Sequence, residues 1–134
     1  MTPEEKQLLL RDLCARLPYG VKAKIAEEGV LSYDSGTGVI VGKEHVDNEI
    51  FIIQCKNDSW CLTAISEFVP YLRPMSSMTM DERCEYDKFI NSKSIFDYKN
   101  AADWIRWMNE HHFDYNGLID MGLALEAPGG MYNI

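Results

Sequence analysis

Two adjacent histidines, His111 and His112, are followed closely by Asp114, and this trio is the group best suited by residue type to move protons. A carboxylate can orient an imidazole as a base, and such a base can activate a serine or cysteine in a small hydrolase or transferase. No Gly-x-Ser-x-Gly elbow supplies the nucleophile. The same histidines have a plain structural role near a helix C-terminus, where they complement the negative end of the helix dipole. Metal chemistry is not expected. The four cysteines, Cys14, Cys55, Cys61 and Cys84, form no Cys-x-x-Cys pair. On a helix His111 and His112 point about 100° apart, too divergent to share an ion easily.

The run Gly36-Thr37-Gly38-Val39-Ile40-Val41-Gly42-Lys43 fits neither phosphate loop. Only three residues separate Gly38 from Gly42, where a Walker loop has four, and Glu44 follows Lys43 instead of Ser or Thr. A dinucleotide fingerprint would need glycine where Val41 stands. A glycine-rich β-turn accounts for the run, so no cofactor is expected. The segment from Tyr71 to Met78 is the best candidate contact surface. Tyr71, Arg73, Met75 and Met78 combine an aromatic, an arginine and adaptable methionines, types that suit protein contacts. The competing reading has Tyr71, Leu72 and Met75 anchoring the segment while Arg73 pairs with an acidic neighbour.

The elements that must position these groups follow from periodicity. Thr2, Pro3 and Glu5 make a capping box for a first helix, whose apolar stripe is Leu10, Leu13, Cys14 and Leu17 and whose stop is Pro18-Tyr19-Gly20. Alternation from Val21 onward predicts strands at Val21–Ile25, Val30–Tyr33, Val39–Val41, Glu49–Cys55 and Trp60–Thr63. Joined by tight turns, they read as an antiparallel meander of the kind often curled into a small SH3-like barrel. Two prolines four residues apart predict that Val69–Pro74 is an extended connector lying on the sheet. Thr79 and Glu82 cap a second helix ending at Asn91-Ser92. Asn100 caps a third, with Ala101, Trp104, Ile105, Met108 and His112 on one face and Arg106, Asn109 and Glu110 opposite. Asn116 caps a further turn closed by a left-handed Gly122.

The chain has 134 residues and a formal net charge of −8, and each half carries −4. An evenly acidic chain argues for a solvated surface and against general nucleic-acid binding. No apolar run approaches the roughly 20 residues of a membrane span. The start Thr2-Pro3-Glu4-Glu5 is acidic where a secretory signal is basic, so a cytoplasmic protein with reduced thiols is expected.

Tyr71-Leu72-Arg73-Pro74-Met75-Ser76-Ser77-Met78-Thr79 and the later run His111-His112-Phe113-Asp114-Tyr115-Asn116-Gly117-Leu118-Ile119 carry a resemblance. With Trp104, Gly122-Leu123-Ala124 and the opening Asp12–Gly20, they resemble a family of uncharacterised proteins from gut Bacteroidales chromosomes, prophages and mobile elements. The resemblance implies a small cytoplasmic accessory protein and transfers no catalytic residue. The expectation is therefore one α+β domain over residues 1–127 with a flexible tail at 128–134. Its leading function is non-enzymatic binding of a protein partner that modulates a host or phage complex. One alternative is the hydrolase or transferase built on His111, His112 and Asp114. Another is a nucleotide or single-strand binder using Lys22, Lys24 and Lys43 with Tyr33 or Trp60.

Overall fold

The Thr2 side chain accepts from the Glu5 N–H and the Glu5 carboxylate accepts from the Thr2 N–H, so the expected capping box starts helix α1 (Pro3–Arg16). A short 3-10 turn over Leu17–Tyr19 and a left-handed Gly20 then turn the chain into the sheet. The structure is a computed structural model that describes residues 1–25, 37–44, 49–54, 60–91 and 98–132. The strand expected at Val30–Tyr33, with Tyr33 itself, and the cysteine Cys55 lie outside the described residues.

Among the described residues the strands are β1 (Lys22–Ile25), β2 (Thr37–Lys43), β3 (Ile50–Gln54), β4 (Trp60–Ala64), β5 (Phe68–Leu72) and β6 (Leu125–Glu126). They form one sheet in the order β4-β3-β2-β1-β5-β6, antiparallel except for β5 with β6. The fold is thus α+β as expected, but the sheet is open and no barrel closes. Closure is unnecessary because helix α1 covers one face. Leu9, Leu10 and Leu13 pack there with Ile40, Phe51, Ile53 and Phe68, and Leu118 and Leu123 extend the same core.

The proline-bearing segment is the main correction. Phe68–Leu72 is not a connector on the sheet but strand β5, paired on both sides. Pro70 is tolerated because β6 pairs only with Tyr71 and Leu72, so no ladder bond on that side needs a Pro70 N–H. Toward β1, the next rung after Pro70 opposite Ala23 would join Lys22 to Tyr71. The Tyr132 hydroxyl is spliced into it, accepting from the Lys22 N–H at 2.9 Å and donating to the Tyr71 carbonyl at 2.7 Å. The segment expected as a mobile tail therefore places Met131 and Tyr132 against the sheet, where the Met131 carbonyl also accepts from Lys22 Nζ.

Gly38 shows how tightly β2 crosses β3. A Cβ there would overlap Ile53 Cγ2 and approach the Gln54 carbonyl oxygen to 3.1 Å. Gly38→Ala should cost about 1–3 kcal/mol, read as a lowered urea midpoint. Gly42→Ala, whose Cβ would meet only Ile52 at ordinary distance, is the control and should cost clearly less.

Helix α2 (Met80–Ile90) has the expected Thr79–Glu82 capping box and ends at Asn91. Helix α3 (Tyr98–Glu110) begins before Asn100, so Asn100 sits in its first turn and is not its cap. Its buried residues include Trp107, Met108 and Asn109. Asn109 was expected outside; it is inside because its side-chain carbonyl accepts from the Tyr115 hydroxyl at 2.8 Å. Trp107, Met108 and Phe113 form a second core with Met75, Met78, Tyr86 and Phe89. No helix among the described residues is long and apolar enough to cross a membrane.

Candidate functional site

Helix α3 ends in a Schellman motif built on a histidine. The His112 N–H bonds the Asn109 carbonyl, the Phe113 N–H bonds the Met108 carbonyl, and Phe113 packs with Met108 in the second core. His112 occupies the left-handed position that glycine usually takes, at φ 63°, and no other described non-glycine residue has positive φ. Such a conformation costs roughly 1–3 kcal/mol, so the surrounding structure must hold it.

Two buried ion pairs supply that hold. On the α1 side, Arg16 Nε and Nη2 donate to the two Asp12 carboxylate oxygens at 2.6 and 3.1 Å. Nη2 also reaches the Phe113 carbonyl at 2.7 Å, and Asn116 completes the shell of Asp12. Both side chains of this pair are fully buried. On the sheet side, Arg73 makes a two-pronged bond to Glu82, 2.7 Å at each nitrogen, and also bonds the Ser77 and His111 carbonyls. Its guanidinium lies 4.2 Å over the Phe113 ring, as that of Arg16 lies 4.9 Å from the Tyr115 ring. The main chain joins in, since the Arg73 N–H bonds the His112 carbonyl and the Asp114 N–H bonds the Arg73 carbonyl. The stretch His111–Asn116 is thus clasped from both sides.

A cleft of about 420 Å³ opens beside this clasp, lined by Arg73, Thr79, Glu82, His111, His112 and Tyr132, with Asp81 and Glu110 also on its wall. Among the described residues its lining holds neither cysteine nor serine. The His112 ring stacks face to face on Tyr132, centroids 3.8 Å apart, and its Nδ1 is buried without a hydrogen-bond partner. Burial, followed by the nearby charges of Arg16, Arg73, His111 and Lys22, pushes the His112 pKa down to about 4, so the imidazole is neutral at pH 7. The Arg73 bonds hold the Glu82 carboxyl near 2 against the opposing effect of burial. Burial pushes the Tyr132 phenol up to about 12.

The histidines and Asp114 are neighbours here but do not form a dyad. Both Asp114 oxygens accept main-chain N–H groups, from Leu118 at 2.7 Å and Ile119 at 2.9 Å. Asp114 is therefore the cap of the turn assigned to Asn116, whose amide instead serves Asp12; Gly122 closes that turn with the expected left-handed backbone. His111 bonds the Trp107 carbonyl through Nδ1. Arg73 is 3% exposed and paired with Glu82, and Met75 and Met78, partly buried, pack against the second core. Tyr71 is half-buried and its carbonyl takes the Tyr132 hydroxyl. Lys22, required by the nucleic-acid alternative, is turned onto Met131 and Tyr132, whereas Trp60 stands exposed on β4. Sequence reasoning missed Asp12, Arg16 and Tyr132. The first two share a helical face with Leu9 and Leu13, which was the available signal; no signal marked Tyr132.

Among the described residues no group of three or more His, Cys, Asp or Glu could hold a metal ion. No protein-family model, no curated protein and no solved structure matches the chain.

Proposed function

We propose that the protein is a non-enzymatic, protein-binding accessory module whose contact surface is the outer face of β2, β3 and β4. One observation carries this reading. Trp60 and Leu62 on β4 are 66% and 67% exposed, and Val41 on β2 is 39% exposed. The register sets Leu62 opposite Ile52 and Trp60 opposite Gln54, so the large apolar side chains adjoin on the face away from buried Phe51, Ile53 and Thr63. Exposed apolar surface that includes an aromatic suits a protein contact. The likeness of the Tyr71–Thr79 and His111–Ile119 runs to mobile-element proteins supports an accessory role.

The test is affinity capture from a cell lysate with cross-linking, comparing wild type with Trp60→Glu/Leu62→Glu. A partner held by wild type should be lost at least tenfold from the double variant, with the thermal midpoint kept within a few degrees because both side chains are already in solvent. Equal capture by the two proteins, or no partner for either, would overturn the reading.

A further inference from the structure

We propose that residues 127–132 are a releasable latch over the cleft, and that its opening is coupled to uptake of one proton by His112. The latch has three attachments. The Ala127 N–H bonds the Leu72 carbonyl, the Met131 carbonyl takes Lys22 Nζ, and Tyr132 bridges β1 and β5 through its hydroxyl. Gly129 and Gly130 lie between the first and second of these, and nothing lies within 4 Å of where a Cβ would stand on either. The latch is thus anchored at both ends with an unpacked middle.

What it covers is the His112 ring. With Tyr132 in place His112 is 9% exposed and its Nδ1 lacks a partner. The groups facing it come from the neighbouring elements: Arg16 from α1, Lys22 from β1, Arg73 after β5, Asp81 and Glu82 from α2, Glu110 and His111 from the end of α3, and Tyr132 itself. The carboxylates that could balance an imidazolium are already committed. Glu82 is bound by Arg73, Asp114 by two main-chain N–H groups, and Asp12 by Arg16 and Asn116. Asp81 and Glu110 remain on the cleft wall, but none of the hydrogen bonds among the described residues joins them to the ring. A proton arriving from solvent on the imidazole therefore adds a desolvated cation beside Arg16, Arg73 and Lys22. Lifting Tyr132 admits water to that cation and removes the stack. Closure expels the proton, and proton uptake favours opening by the same factor.

The sign follows from the low pKa, about 4, of the latched ring. A released ring with the ordinary value near 6.5 binds protons more readily, so the latch is fully closed above that value and loosens as the pH falls toward 4. Between pH 7 and pH 5 the open fraction should rise roughly 20-fold. Two readouts test this in the full chain, the titration of the His112 ring by NMR and hydrogen exchange at the Lys22 amide. Tyr132→Ala should raise the His112 midpoint by at least one pH unit. Tyr132→Phe should leave that midpoint low while exposing the Lys22 amide to faster exchange, which keeps the test alive if the alanine variant folds poorly. In wild type the Lys22 exchange, corrected for its intrinsic pH trend, should accelerate on acidification. His112→Asn, which tolerates the left-handed backbone, should abolish that acceleration. An unmoved His112 midpoint in Tyr132→Ala, or the same pH response of Lys22 in His112→Asn, would overturn the coupling.

Discussion

Arg16→Met should destabilise the protein by about 3–5 kcal/mol at pH 7. The Asp12 and Arg16 side chains are both 0% exposed, so removal of the cation leaves a buried carboxyl group without its counter-ion, held among the described residues by the Asn116 amide. The same change strips the Phe113 carbonyl of its 2.7 Å donor, a further cost of about 1–3 kcal/mol in a buried setting, part of which the first figure already contains. Urea denaturation should show a lower midpoint with an unchanged slope if the loss lies in the folded state. The double variant Asp12→Leu/Arg16→Met should recover much of the stability, because a buried pair replaced by apolar groups is often neutral or better. An additive double variant would mean that the two residues do not act as a pair.

That pair also marks where the sequence was legible and where it was not. Both capping boxes, Thr2–Glu5 and Thr79–Glu82, are local hydrogen-bond patterns, and both occur where they were expected. The turn at Gly20 and the alternation of β1, β3 and β4 are equally local and were readable. Asp12 and Arg16 were not, because opposite charges at i and i+4 look like a solvated helix face. What buries them is a carbonyl 97 residues away. Pro70 misled for a related reason. A proline excludes a strand only where the neighbour on the side its nitrogen faces requires an N–H, and here β6 arrives from a distant part of the chain and pairs one residue too late to need it. The candidate site divides the same way. His111, His112 and Arg73 all line the cleft as a group, but their roles were set by long-range partners. A helical reading placed His112 on the apolar stripe of α3, whereas the helix stops at Glu110 and leaves His112 in a left-handed cap without glycine to announce it. The outer sheet face followed from strand alternation, but only the open topology, with Trp60 and Leu62 about two-thirds exposed, shows that no second layer among the described residues covers it.

Arg73→Met should cost a similar amount, about 3–5 kcal/mol at pH 7, and the cost should depend on pH. Arg73 holds Glu82 by two 2.7 Å bonds and keeps its carboxyl near pKa 2, whereas an unfolded chain returns it to about 4.5. For a depressed carboxylate the stabilisation is complete above the unfolded value and is lost as the pH falls through the folded one. In the variant the Glu82 pKa must rise, since burial is then opposed only by the Thr79 cap. The difference in stability between wild type and Arg73→Met should therefore be constant above about pH 6 and shrink steadily from pH 5 to pH 2. Glu82→Gln separates charge from geometry, because glutamine can still complete the capping box with Thr79. It leaves a buried arginine without its counter-ion, so it should be destabilising at pH 7 and nearly matched to wild type at pH 2, where wild-type Glu82 is itself half protonated. Urea midpoints for the three proteins across pH 2–7 measure all of this. Parallel curves across that range would mean that the Arg73–Glu82 bond contributes no differential stability, and that the main-chain bonds of Arg73 and the packing of Phe113 hold the sheet to the end of α3.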